Sequence, residues 1–574
     1  MLLFYYLPEA DQSILCNYKS GVYVNNTFSF TFAHLNLKYQ IVEIACLPHQ
    51  ATHFFSKLNL DYLADEPVLR PLYQYRPDDA GLADAIRDRA QFPVDRPTLV
   101  TVLKEQYGEM ELSDRVAANL DALLKCNTYT VCTAHQPNLM TGYLYFIYKI
   151  LHAVKLAQHL ETLHPGQQFV PVFYMGSEDN DLDELGVFRF NEKRFRWETP
   201  QTGAVGRMRT DDLKEVLLAW EKLVGPPGAN AEQLKKVMLD AYQQHPTIAA
   251  ATRSIVNTLM GKYGVLVLDP DDARLKRNFL PELQAELFEP KAHELLQRTT
   301  ALLNDQYKAQ AFSRPVNLFY LKDQIRERIE YQDGKWQVLH TDITFGKEEL
   351  EQEVQLHPER FSPNVILRGL YQERILPNVA FIGGGSEVAY WMQLKPVFEH
   401  YRVFFPALIL RQSIQIIEAD TLQLQQRLSL SDTDIFVPEE TLSRSFVQRN
   451  SQHQLSLKEA DLQLQELFEN IRAKAVQVDV TLDQAAAAAL TKMNRQLQII
   501  QQKMMRAEKR KMSEDLKRIE RLKQQLFPGN SLQERYDTFM PFYLTYGNEL
   551  FDILLNAILP YGNEFVLLKA AEKS

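Results

Sequence analysis

The chain has 574 residues, 45% hydrophobic and 24% charged, a balance that buries a sizeable core and leaves room for two or three domains. Its formal net charge of −10 argues against nucleic acid or an anionic membrane surface as the main partner, because both call for a basic footprint. The four cysteines, Cys16, Cys46, Cys126 and Cys132, include no C-x-x-C pair, which argues against a zinc clip or dithiol centre and suits a reducing, cytoplasmic compartment.

Residues 1 to about 40 are rich in Asn, Ser, Tyr and Phe and lack periodicity, which predicts a loosely ordered N-terminal extension. Its leading apolar run has no basic flank, so no secretory signal is predicted. No run of about 18 uncharged apolar residues occurs, so no transmembrane helix is predicted. The segment 54–69 is amphipathic and stops before Pro71, and further helices are predicted near 80–90, 96–107 and 111–125. TYTVCTA (128–134), GYLYFIYKILHAVKLAQHLE (142–161) and FVPVFYMG (169–176) then read as strand, helix, strand, a βαβ unit with a parallel sheet. KYGVLVLD (262–269) is another strand, and residues 317–345 alternate about Asp333-Gly334 as a hairpin. NVAFIG (378–383), a Gly-rich turn, a helix over 388–398 and VFFPALIL (403–410) follow. All these strands except the hairpin, an insertion or edge, are placed in one core sheet over 41–449, which makes the fold class α/β.

The texture changes near 450. Apolar residues recur at threes and fours over 457–478, then along a longer helix over 482–526 with no Pro or Gly inside. Charged faces flank this row, and its phase slips near Lys511. The pattern predicts an antiparallel coiled coil over 450–527 that turns near 479–482 and ends at Phe527-Pro528-Gly529. The aromatic segment 528–574 cannot stay solvated, so it is predicted to fold back onto the core or a partner.

Three segments follow predicted strands, where open α/β sheets place their ligands. TAHQPNLMTG (133–142) carries His135, Gln136 and Asn138, and Thr141 and Gly142 fall where a helix would start and could hold an anion. The same residues also read as a plain Pro-containing turn with Thr141 as an N-cap. GSEDNDLDELG (176–186) crowds Glu178, Asp179, Asp181 and Asp183 at a strand end, where carboxylates hold an ammonium, a ribose or Mg²⁺, or form a solvated acidic turn. In the third, 362–395, Gly383, Gly384 and Gly385 allow close approach to a ligand before a helix, with Glu387, Tyr390 and Trp391 beside the mouth. Asn364, Arg368 and Gln372 are polar in a largely apolar stretch, and Arg suits a carboxylate or phosphate. No G-x-G-x-x-G or Walker A pattern occurs, and no metal ligand set is assigned.

Taken in order, AHQPNLMTGYLYFIYK, VPVFYMGSEDNDLDE, VLVLDPDD, SPNVILRGLYQE, LPNVAFIGGGSEVAYWMQLK and LQERYDTFMPFYLTYG resemble the BshC family, the cysteine-adding enzymes of bacillithiol synthesis. The resemblance runs from about Ile41 to the C-terminus, with departures at Tyr143, Gly369 and Ser386. It implies a Rossmann-like core, a coiled-coil arm and a homodimer formed through that arm. It also implies a ligase that joins the carboxyl of L-cysteine to the amine of glucosaminyl-malate, with ATP or another nucleotide for activation and Mg²⁺ left open. On that reading His135, Gln136, Glu178 and Asp181 are the catalytic candidates, and the remaining residues named above bind substrate or nucleotide. The alternatives are a nucleotide-binding transferase of another substrate and a non-catalytic coiled-coil scaffold with a ligand-sensing pocket.

Overall fold

In the computed structural model, residues 39–225, 228–304 and 306–572 are described. The expectation for residues 1–38, and Cys16, lies outside them.

The five strands read as a core sheet do form one: β1 (Thr128–His135), β2 (Gln168–Met175), β3 (Leu266–Leu268), β4 (Asn378–Gly383) and β5 (Ala407–Leu410). They are all parallel in the order β5-β4-β1-β2-β3. Both faces are covered, so β1 and β4 are buried almost throughout, as continuous apolar strands require. Two strands are shorter than their apolar runs. β5 starts only after Pro406, which has no N–H for the ladder, and β3 starts after Gly264, whose φ of 80° closes a 3₁₀ turn. Helices α1 (Leu144–Leu163), α2 (Val365–Ile375) and α3 (Gly385–Tyr401) cover the sheet. The order reverses between β1 and β4, which opens a crevice at their C-terminal ends.

The predicted hairpin belongs to a larger antiparallel sheet. Asp333 and Gly334 turn with φ of 52° and 80°, the left-handed pair that a two-residue hairpin needs. Thr344–Phe345 extends it on one side, and Leu318–Lys322 and Phe361–Pro363 on the other. This insertion brings Arg326 and Ser362 to the end of β2, where they meet Asn180 and Glu178.

A third sheet was not legible beforehand. Tyr39–Pro48 pairs antiparallel with Glu564–Glu572, which runs parallel to Ile414–Ile417. Helices Met540–Tyr546 and Glu549–Ala557 pack with α1 in one apolar cluster. The aromatic tail therefore returns to the core.

Among the described residues no helix is long and apolar enough to cross a membrane. The arm comprises α4 (Lys458–Val478) and α5 (Leu482–Lys511), and α6 (Ser513–Leu526) continues from it. The break falls at Met512, where φ and ψ leave the helix at −100° and 21°, beside the slip in heptad phase. Residues before and after the break have different fates. α4 buries no residue, whereas α6 buries Ile519, Leu522 and Leu526 against Ile417, Phe565 and Leu567.

Candidate functional site

A cavity of about 430 Å³ lies at the crevice, and all five strand ends line it. His135 and Gln136 follow β1, Gly176 to Asp179 follow β2, and Pro270 lies just beyond β3. Gly384 to Glu387 follow β4, and Arg411 follows β5.

His135 is half-buried, its ring packed against Tyr145 and Phe146, and its Nε2 has no hydrogen-bond partner. Burial holds its pKa well below the ordinary histidine value, and Lys149, Arg411 and Arg368 push the same way. The ring is therefore neutral at physiological pH. It can hydrogen-bond to a ligand but cannot stabilise phosphate by charge. Below it, the buried Lys149 Nζ donates to the Ala134 carbonyl at 2.9 Å and pairs with Glu387. Desolvation lowers the Lys149 pKa, and the Glu387 carboxylate opposes that shift. Glu387 also accepts the Gly384 N–H at 2.8 Å, so part of the α3 N-terminus is capped by its own helix. Gly385 leaves no room for a side chain, since a Cβ there would fall 2.2 Å from Asn59 Nδ2.

Arg368 projects from α2 over the Tyr174 and Phe381 rings. It donates to Gln372 Oε1 at 3.2 Å and to the Tyr390 hydroxyl at 2.9 Å, with no ion pair among the described residues. The carboxylates that act on it, Glu387 and Glu373, do so without direct contact, so its guanidinium is left able to pair with an anion in the cavity. Arg411 is buried and donates both Nη groups to Glu534, at 2.9 and 2.5 Å. Arg326 stands 3.6 Å from Asp179, and the exposed Arg535 lines the mouth.

The acidic run divides. Glu178 lines the cavity, but its carboxylate is held by Lys276 at 2.5 Å and by the Ser362 hydroxyl at 3.0 Å. Asp179 accepts from Gln136 Nε2 at 3.0 Å and also lines it. Asp181 and Asp183 do not reach the wall. Asp181 is exposed and caps the short helix Leu182–Leu185, and Asp183 pairs with Arg196 on the surface.

Other candidates sort by backbone. Asn364, Gly384, Gly385 and Tyr390 line the cavity, and Asn364 also caps α2 by accepting from Ile366 N–H at 2.9 Å. Asn138, Thr141 and Gly142 do not line it. Met140, Thr141 and Gly142 all take positive φ, so the turn tucks Thr141 inside, and α1 starts later, at Leu144. The helix therefore does not start at Thr141–Gly142, and its first N–H, that of Leu144, is taken by the Asp537 carbonyl at 2.8 Å. Trp391 is fully buried against Phe381, Phe398 and Phe405 and faces the core, and Gly383 is the buried last residue of β4. Gln372 is buried behind Arg368. Sequence reasoning missed Arg411, Arg326, Ser177 and Arg535. Arg411 directly follows an apolar strand, so the strand-end rule could have found it. Ser177 lies within the 176–186 segment already singled out, whereas Arg326 depends on the insertion and Arg535 on the returning tail.

Strand order and cavity define a doubly wound α/β protein with a polar, small-molecule-sized site at its switch point. Residues 42–412 match the model of the BshC N-terminal Rossmann-like domain, and 414–570 that of the BshC C-terminal coiled-coil domain. Relatives named "Putative cysteine ligase BshC" include one from Flavobacterium johnsoniae, 37% identical over 91% of this chain and 99% of its own. One from Cytophaga hutchinsonii is 39% identical over 86% and 92%, and one from Salinibacter ruber is 29% identical over 89% and 96%. The chain belongs to the BshC family of bacillithiol biosynthesis.

Proposed function

We propose that the cavity joins L-cysteine to glucosaminyl-malate, forming an amide between the cysteine carboxyl and the sugar amine. The observation that carries this reading is Arg368, hydrogen-bonded but in no ion pair among the described residues, in the wall of a strand-end cavity, in a chain of this family. The malate half carries two carboxylates, and Arg368 with Arg535 offers two cations without acidic partners among the described residues. Asp179 and Glu184 at the mouth suit the cysteine ammonium. His135, neutral and in the cavity wall with Nε2 unpartnered but enclosed, would accept a hydrogen bond from the sugar amine on a turn of the ring that exposes that nitrogen, leaving the amine lone pair for the acyl carbon. Lys149 and Glu387 then hold the floor rather than touch substrate.

A carboxylate does not acylate an amine unaided, so a nucleoside triphosphate is the co-substrate that would activate it. Activation would give an acyl-adenylate with loss of pyrophosphate or an acyl-phosphate with loss of nucleoside diphosphate, and the amine would then displace the nucleoside monophosphate or phosphate. The arginine set fits a polyanion, and because Glu387 takes only the Gly384 N–H at the α3 start, Gly385 and Ser386 in the cavity wall can add backbone N–H groups to it. The proposed protein acts as a homodimer through α4 and α5, because their exposed Leu462, Leu467, Ile471 and Met493 lack cover.

The test is thiol profiling of a strain lacking this gene. The intact chain should restore bacillithiol and consume accumulated glucosaminyl-malate, and His135→Ala should restore less than about a tenth. Full restoration by His135→Ala removes that residue from the chemistry. Failure of the intact chain to consume glucosaminyl-malate favours a different substrate.

A further inference from the structure

Arg368 is aimed by a buried chain that nothing so far has used. Gln372, one turn along α2, accepts from Arg368 Nη1 at 3.2 Å through its Oε1. Its Nε2 donates at 2.8 Å to Glu373 Oε1, which also accepts from Asn378 Nδ2 at 2.8 Å. Gln372 and Glu373 are both fully enclosed, at 0% and 1% exposure, and Glu373 Oε2 has no partner. An amide side chain has a donor end and an acceptor end, and only its neighbours decide which way it points. An ionised carboxylate only accepts. So long as Glu373 is ionised, Gln372 must point its NH₂ at Glu373 and its oxygen at Arg368. We infer that Glu373, through Gln372, is the positioning device for the ligand-binding guanidinium of Arg368. This rests on the reading that Arg368 holds a carboxylate of the substrate.

The chain has a pH consequence. The charged and titratable groups around Glu373 are Arg368 and Arg374 on its own helix, Arg89 from the helix Asp79–Arg89, and the Cys132 thiol of β1. Arg374 is itself paired with Glu282. Burial pushes the Glu373 carboxyl up to about 7, against the pull of Arg89, Asn378 and Gln372. Once protonated, Glu373 can donate. The Gln372 amide is then free to reverse and would present a donor to Arg368, which has only donors. Arg368 then loses its bond to Gln372 and keeps only that to Tyr390 as pH falls through about 7.

The test is calorimetric titration of the full-length protein with glucosaminyl-malate between pH 5.5 and 8.5. The ligand amine titrates in the same range, so each variant is compared with wild type at every pH. At pH 8, Gln372→Met should bind about tenfold more weakly, as expected for a lost hydrogen bond to a charged group. Glu373→Gln, which like the protonated acid carries both a donor and an acceptor, should bind about tenfold more weakly than wild type at pH 8 and lose little more on acidification. The wild-type affinity should fall about tenfold further than that of Glu373→Gln between pH 8 and 6. Wild-type affinity in Gln372→Met, or parallel profiles for wild type and Glu373→Gln, overturns the inference. Arg368→Met separates the two levels. If it binds as wild type does, the assignment of Arg368 to the substrate is what fails. If it alone weakens binding, only the positioning chain fails. Melting curves confirm that each variant is folded. If Gln372→Met does not fold, Gln372→Glu takes its place, and it should bind more weakly because its carboxylate neutralises Arg368.

Discussion

The buried charges of the site are bound by neighbours distant in sequence, and their titration is the clearest handle at the residue scale. His152, on α1, donates from Nε2 to the Pro560 carbonyl at 2.9 Å and accepts the Gln412 N–H on Nδ1 at 3.1 Å. That pattern needs a neutral ring, and burial lowers its pKa to about 4. The unfolded ring titrates near 6.5. The group's contribution is thus complete above about pH 6.5 and is lost as pH falls toward 4, a total of about 3 kcal/mol. Urea melts at pH 7 and 4 should show it as a difference that His152→Gln reduces. Glu534 is a second case. It is buried and takes both Arg411 Nη groups and the Ser413 hydroxyl at 3.1 Å. Glu534→Gln leaves Arg411 buried without a counter-charge and should cost about 3–5 kcal/mol, read as a lower urea midpoint. Arg411→Met with Glu534→Leu should recover part of that loss, because desolvating the pair is itself costly.

At the scale of elements, legibility followed the local rules and failed where chain segments meet from afar. The five core strands were readable because each is a short apolar run bounded by Gly, Pro or Asp, and each lies between helices of clear period. The heptad slip near Lys511 was readable too, and it marks a real break at Met512. The start of α1 was not. Thr141 and Gly142 look like a helix start, yet Met140, Thr141 and Gly142 turn left-handed, and the turn buries them under Tyr242, which accepts the Met140 N–H at 2.8 Å. Trp391 was misplaced for a related reason. The Gly triplet fixes where α3 begins, but only packing shows that its face bearing Trp391 meets Gly369, where a Cβ would come within 3.0 Å of the indole. The end of β2 is likewise set by a remote loop. Gly206 donates to the Ser177 carbonyl at 2.8 Å, and Val205 donates to that of Asp179 at 2.7 Å. A Cβ on Gly206 would lie 2.6 Å from the Ser177 carbonyl oxygen, which cannot yield without moving the cavity wall. Gly206→Ala should therefore lose about 3 kcal/mol of stability and weaken ligand binding together, checked by urea melts and calorimetry on one preparation.

At the scale of the whole molecule, the chain divides by burial rather than by heptad. α4 and α5 bury Glu508 alone among the described residues, while α6 is part of an apolar cluster with Ile417, Phe436, Phe527 and Phe565. The helix after Met512 is thus core, although its sequence continues the arm. This fixes where a cut is harmless. The two ends of the arm lie together, since the Ser451 hydroxyl donates to Glu508 at 3.3 Å. Replacing residues 459–506 by a short Gly-Ser linker therefore removes about 40 Å of hairpin without opening the cavity or stripping α6 from the core. The exposed Leu462, Leu467, Ile471, Met493 and Ile500 go with it. The shortened chain should melt within a few degrees of the full one, because almost none of the lost surface is buried within the chain. By light scattering it should run as a monomer, and by calorimetry it should bind glucosaminyl-malate with unchanged affinity. A chain that remains dimeric places the subunit interface on the core. A monomer that loses binding means that each cavity takes support from the second copy.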